Sequence, residues 1–267
     1  MESSESETIS GQAAPANGQP TGASVPAALH ALRPRRVGGI ALVAGVAAGL
    51  ASWLAGELAG GVYQPRLVEV GFGMGVTLTM PTVATQNQAD FQNATLTFAI
   101  IGGVTGLTMG LAGGLAGRSF LRGTIVGFVA LVVGGLAGGW ASRALVPLFF
   151  RRFVPDTNDL LSPILIHSGI WSAIAAAAGL AFAAGIGRRR RWPAAVGGAC
   201  LGAILATVLF HLLGAWLFPD SGSTRAIAGS PMVRLQAILA VTVLIAAGAA
   251  RGVLGRRTAS ASAVAGP

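Results

Sequence analysis

The sequence has little charge for its length. Of its 267 residues only 10% are Asp, Glu, Lys or Arg, whereas a typical soluble domain has about 25%. Mean hydropathy is +0.69, and the apolar residues are grouped into long runs. A chain of this composition cannot cover a globule with polar side chains in water, which excludes an ordinary soluble domain.

Lysine is absent, so all 18 basic residues are arginine. With nine acidic residues the net charge is +9, a balance that often indicates nucleic-acid binding. Most of these arginines, however, lie in short segments beside apolar runs, where they direct membrane topology. No surface that combines basic and aromatic residues is laid out for nucleic acid. We therefore predict no nucleic-acid partner.

The signatures of catalysis and cofactor binding are also absent. The single cysteine, Cys200, cannot form a disulfide framework or a cysteine-based metal site. The chain has no phosphate-binding loop, no dinucleotide fingerprint and no Cys-x-x-Cys motif. We predict no cofactor, no metal ion and no catalytic residue, and the sequence does not favour an enzyme.

What the sequence does have is six apolar runs of 20 or more residues each. At about 1.5 Å rise per residue, such a helix crosses the roughly 30 Å hydrocarbon core of a bilayer. This predicts an all-α, polytopic membrane protein with a membrane domain at 33–250, a disordered tail at 1–32 and a short tail at 251–267. The predicted spans are about 37–61, 94–117, 123–145, 162–187, 192–218 and 231–250.

The distribution of arginine predicts which side of the membrane each loop occupies. Six spans put both termini on one side, and 12 of the arginines fall on that side against six on the other. By the positive-inside rule both tails are cytoplasmic. The 12 are Arg33, Arg35, Arg36, Arg118, Arg122, Arg188, Arg189, Arg190, Arg191, Arg251, Arg256 and Arg257.

The spans also show signs of an internal repeat of three helical hairpins. Each odd-numbered span has a Gly-xxx-Gly pair followed by a proline, and the first glycine precedes the proline by 20, 21 and 21 residues. The first hairpin has an enlarged outer loop at 62–93, in which the alternation at 67–80 allows a short β-hairpin or a re-entrant segment. The three sets are Gly45, Gly49 and Pro65; Gly134, Gly138 and Pro155; and Gly198, Gly202 and Pro219.

Forty glycines are about twice the usual content, and they form stripes along the predicted helices. Small residues let helix backbones approach closely in lipid, where no hydrophobic effect drives helices together. We predict a packing role for them rather than a solute path, which would need polar groups beside the glycines. The predicted packing residues are Gly45, Gly49, Gly102, Gly106, Gly110, Gly114, Gly134, Gly138, Gly198 and Gly202.

Polar residues within the spans are the candidates for a functional site. They are Glu57, His167, His211 and Arg234, with Gln236 as a neutral companion. All lie toward the outer side, and His211 is the deepest. Snorkelling at the interface is the alternative explanation for the shallow ones.

Two segments resemble uncharacterised Gly/Ala-rich multi-pass membrane proteins of bacteria with GC-rich genomes. These are 45–57 (GVAAGLASWLAGE) and 165–185 (LIHSGIWSAIAAAAGLAFAAG). The resemblance implies a location in the bacterial cytoplasmic (inner) membrane, and it brings no activity, substrate or site residue with it.

Two hypotheses from different classes fit this sequence. The first is a structural or accessory helix bundle that assembles with itself or with another membrane protein. The second is a permease or channel for a small solute, since transporters are often built from repeats. A dry core of glycine and alanine contacts favours the first, whereas a polar cavity that joins Glu57 and His211 favours the second.

Overall fold

The computed structural model describes residues 34–71, 73, 77–152, 160–217, 227 and 229–255. The predicted tail at 1–32 and the final residues 256–267 lie outside this described part, as do Pro155 and Pro219 of the predicted repeat.

Six helices and one β-hairpin make up the described chain. Each helix is long and apolar enough to cross a membrane, so the predicted number of membrane-crossing helices is confirmed. A short 3-10 turn at Arg189–Arg191 precedes the fifth helix. The elements are α1 (Pro34–Ala59), β1 (Leu67–Gly71), β2 (Thr77–Pro81), α2 (Val83–Ala116), α3 (Phe120–Arg152), α4 (Leu161–Ile186), α5 (Trp192–Leu217) and α6 (Pro231–Leu254).

The segment 62–93, predicted as a mixed loop, is largely ordered secondary structure. β1 and β2 pair antiparallel, with Leu67 opposite Pro81, which matches the β-hairpin alternative. The loop prediction is wrong for 83–93, because α2 begins at Val83, eleven residues before the predicted span. Its N-cap, Thr82, exchanges hydrogen bonds with Thr85 in a capping box. This first part of α2 is too polar to be recognised by an apolar run.

The even-numbered helices α2 and α4 lie at the centre of the bundle. In their apolar stretches 61% of residues are buried, against 22% in α3 and 28% in α5. Each helix packs against its neighbours in chain order, α6 closes the ring against α1, and α2 also packs against α4. The outward faces of α3 and α5 carry exposed apolar side chains such as Val132 and Leu201, as expected for surfaces that face lipid.

The two ends of the bundle differ in character. We call one the arginine end, because Arg36, Arg118, Arg122, Arg188–Arg191 and Arg251 all lie there. The other is the hairpin end, which carries β1 and β2. The three acidic residues that the structure describes, Glu57, Glu69 and Asp90, belong to this hairpin end.

Glycines mediate the closest helix contacts. Between α2 and α3, a Cβ added to Gly102 would collide with the carbonyl of Gly134, and one added to Gly106 would collide with that of Ala130. The contact continues toward the arginine end, where Gly110 lies against Gly127 and Gly114 against Gly123. These backbones are so close that no larger residue fits between them.

The other predicted packing glycines also lie at helix interfaces. Gly45 and Gly49 of α1 face Thr242 and its neighbours on α6. Gly138 of α3 faces Phe98 of α2. Gly198 and Gly202 of α5 lie against Gly248 and Leu244 of α6.

Candidate functional site

An ion pair at the hairpin end joins the first and last helices. Arg234 lies one turn into α6, and Glu57 lies near the end of α1. Nε and Nη2 of Arg234 each donate to one carboxylate oxygen of Glu57, both at 2.7 Å. The pair is about a quarter exposed on each side. Such a bidentate geometry fixes the relative position of α1 and α6.

Two further contacts support this arrangement. Nε1 of Trp53 donates to the carbonyl of Pro231 at 3.1 Å, which ties α1 to the start of α6. Asn93 of α2 both accepts from the backbone N–H of Tyr63 and donates to its carbonyl, at 3.0 and 2.9 Å. The chain that leaves α1 is therefore held against α2.

A polar cavity of about 390 Å³ opens at this ion pair, between α1, α2 and α6. We call it the vestibule. Its wall combines Glu57 and Arg234 with Asp90, Asn93, Thr97 and Trp53, and with the backbone of several glycines. Vestibule and ion pair together place charged and polar groups in a space large enough for a small solute.

Two histidines form a second polar cluster, deeper in the bundle. His167 of α4 and His211 of α5 are 8% and 2% exposed, and their ring centroids are 5.1 Å apart. Nδ1 of His167 lies 2.9 Å from the carbonyl of Pro163, and Nδ1 of His211 lies 2.8 Å from that of Thr207. A carbonyl oxygen can only accept, so Nδ1 is the donor in both rings.

The histidines line a smaller cavity of about 60 Å³, which we call the inner cavity. Phe98, Trp171 and Phe210 form much of the rest of its wall. The two cavities adjoin, because Thr97, Ile227, Arg234 and Ile238 line both. The inner cavity reaches Val241, ten residues into α6, or about 15 Å from the start of that helix.

Four of the five sequence candidates therefore meet in two pairs, and the fifth does not join them. Glu57 pairs with Arg234, and His167 pairs with His211. Arg234 lines both cavities, whereas Glu57 lines only the vestibule and His211 only the inner cavity. Gln236 is exposed and lines neither.

Sequence reasoning missed several residues of the site. Thr97 lies in both walls, and Asp90 and Asn93 lie in the vestibule. Asp90 and Asn93 were missed because they belong to the polar start of α2, which had been predicted as loop. The signal that could have found them was the polar, glycine-free sequence between Val83 and Asn93, which suits a helix extending out of the membrane.

Among the described residues, no group of three or more His, Cys, Asp or Glu side chains is placed to hold a metal ion. The lone Cys200 directs its Sγ toward the carbonyl of Ser172 at 3.5 Å, between α5 and α4.

We call the vestibule and the inner cavity together the recess. The six apolar helices indicate a multi-pass membrane protein in contact with a lipid bilayer. No protein family model, no curated protein and no solved structure matches the chain.

Proposed function

We propose that the protein is a structural or accessory membrane bundle, packed through its glycine stripes, which assembles with itself or with another membrane protein. The observation that carries the proposal is the α2–α3 contact. Glycine brings these two backbones together at four successive positions along α2, from Gly102 to Gly114. Helices locked in this way form a stable scaffold and leave little freedom for the rearrangement that transport requires.

We also propose that the bundle consists of three related hairpins. Arginines at the arginine end support this, because each hairpin begins with an arginine that reaches the end of its own second helix. Arg36 donates to the carbonyl of Leu115 at 3.3 Å. The guanidinium groups of Arg122 and Arg191 lie against Gly187 and Gly255, the C-caps of α4 and α6. A cation at a helix C-terminus is stabilised by the helix dipole.

The Gly-xxx-Gly pairs are used alike in the first two hairpins but differently in the third. Gly45 and Gly49 of α1 pack on α6, and Gly134 and Gly138 of α3 pack on α2, so each contacts the preceding even-numbered helix in the ring. Gly198 and Gly202 of α5 pack instead on the following helix, α6. The third hairpin therefore departs from the other two in how its glycines are used.

For location, we propose the bacterial cytoplasmic membrane, with both termini in the cytoplasm. The concentration of arginines at one end of the bundle supports this orientation, as does the resemblance to Gly/Ala-rich bacterial membrane proteins. Reporters that are active only in the cytoplasm, fused to either terminus, should both be active. A periplasmic C-terminus would contradict the six-span topology.

The alternative function is a permease or channel for a small solute. The recess favours it, because the vestibule and the inner cavity together extend about 15 Å along α6 from the hairpin end. A flux measurement distinguishes the two functions. Purified protein in proteoliposomes should not accelerate the equilibration of small polar solutes such as glycerol or urea. Accelerated flux that is lost on filling the recess with Thr97→Trp would replace the accessory proposal with a permease.

A further inference from the structure

The inner cavity is lined by His211, and the Nε2 atom of this side chain has no hydrogen-bond partner among the described residues. Nδ1 of His211 donates a hydrogen bond to the carbonyl of Thr207. The ring is 2% exposed and makes a T-shaped contact with Phe210, and an uncompensated positive charge would be costly in such a buried place. In the neutral ring Nε2 therefore carries a lone pair and no proton.

Nε2 of His211 is fully buried, and no group among the described residues donates to it. Leaving a buried acceptor unpaired costs on the order of 1–3 kcal/mol. A ligand whose N–H or O–H group reaches this atom would remove the cost, and because Nε2 is covered, the neighbouring side chains of the cavity wall must shift to admit it. The orientation of the ring is fixed by the hydrogen bond from Nδ1 to α5, so a hydrogen bond from a ligand to Nε2 would have a defined direction.

The size of the cavity limits the ligand. A volume of about 60 Å³ is available, and one water needs roughly 10–15 Å³ on the same measure. The space therefore suits a ligand, or the end of a ligand, of about four or five non-hydrogen atoms.

Charge limits the ligand further. Arg234 is the charged side chain in the described part of the inner wall, which disfavours a cation. Its charge is already balanced by Glu57 in the vestibule, and the lone pair of His211 disfavours an anion. The remaining wall is mostly apolar, with Phe98, Ile101 and Trp171 among its members, and its other polar residues are Thr97, Thr207 and His167, which carry no net charge when the imidazole is neutral. An uncharged ligand with one donor group fits these surroundings best.

We propose that the inner cavity binds a small, uncharged hydrogen-bond donor, of the alcohol or primary amide class, whose donor group binds Nε2 of His211. Four residues line both cavities, so the vestibule is adjacent to the site, and we propose it as the route of entry. The site goes beyond the accessory function, because binding here requires neither transport nor a protein partner.

Acetamide and acetone provide a matched pair of probes, since they have the same number of non-hydrogen atoms and only acetamide has a donor. The protein, labelled with ¹⁵N-histidine and held in lipid nanodiscs, is titrated with each. Signals from its three histidines are assigned with His167→Gln and His211→Gln. Acetamide should shift the ¹⁵N signal of His211 Nε2 saturably and leave the ¹⁵N signal of its Nδ1 unchanged. Acetone should bind about tenfold more weakly, the ratio expected for one hydrogen bond.

A cavity-filling variant keeps the test informative if His211→Gln alters packing. Ala237 lines the inner cavity, and Ala237→Leu should abolish the acetamide shift while both rings keep their Nδ1 bonds. Equal shifts from acetone and acetamide would overturn the proposal. So would an Nε2 signal that is already hydrogen-bonded without a probe and does not respond to one, because water would then fill the site. Neither result bears on the flux measurement, so the two proposals fail separately.

Discussion

Gly198→Ala should destabilise the bundle strongly, whereas Gly197→Ala should not. A Cβ at Gly198 would collide with the carbonyl of Gly248 on α6, and nothing lies within 4 Å of one at Gly197. Overpacking of this kind costs about 1–3 kcal/mol, or several degrees in thermal midpoint for a chain of this size. Thermal unfolding of the detergent-solubilised protein measures the difference.

The neighbouring position is the control, because the two substitutions are chemically identical and share one helix. Alanine has a higher helix propensity than glycine by about 1 kcal/mol, so Gly197→Ala should leave the midpoint unchanged or raise it slightly. The same contrast holds on α1, between Gly45, which packs on α6, and Gly38, where a Cβ meets nothing. Equal midpoints for Gly197→Ala and Gly198→Ala would show that glycine packing does not hold α5 against α6.

Removing the charge of Glu57 should produce the second large effect. Glu57→Gln keeps the size of the side chain but replaces two charge-assisted hydrogen bonds of 2.7 Å from Arg234. Hydrogen bonds to charged groups contribute about 1.5–3 kcal/mol, and with about a quarter of each side chain exposed to the vestibule, water screens the pair in part. The free energy of unfolding should therefore fall by about 1–3 kcal/mol.

A double-mutant cycle separates the pair from the effects of each residue alone. Arg234→Gln and the double variant complete the cycle, and contacting residues commonly show coupling of about 0.5–3 kcal/mol. Gln236→Glu is a suitable control, because Gln236 lies on the same helix but is exposed and outside both cavities. Strictly additive losses would mean that the ion pair does not join α1 to α6 energetically.

Much of the fold could be predicted from the sequence, because the bilayer sets a simple requirement. Any helix that crosses it needs a long apolar run, and six such runs are present. The helix boundaries were less predictable where the chain becomes polar. α2 begins at Val83 through its Thr82 capping box, and α3 continues through Pro147 to Arg152. The length of an apolar run does not show how far a helix continues beyond the hydrocarbon core.

The candidate site was predictable in its members but not in its pairing. Glu57, His167, His211 and Arg234 stand out because ionisable residues are rare in apolar helices. Which of them meet depends on how the helices are arranged. Glu57 and Arg234 are 177 residues apart, and they meet only because α6 closes the ring against α1. No periodicity within a single helix contains that information.

The recess opens at the hairpin end, and glycine packing closes the rest of the bundle. Thr97 and Thr105 of α2 provide a direct test, because Thr97 lines both cavities and Thr105 is 1% exposed in the packed part. With Cys200→Ser as a background free of cysteine, Thr97→Cys should react with a membrane-impermeant maleimide added at the hairpin side. Thr105→Cys should react from neither side. Labelling of Thr105→Cys would show instead that water reaches past the glycine contacts and that the bundle is not closed there.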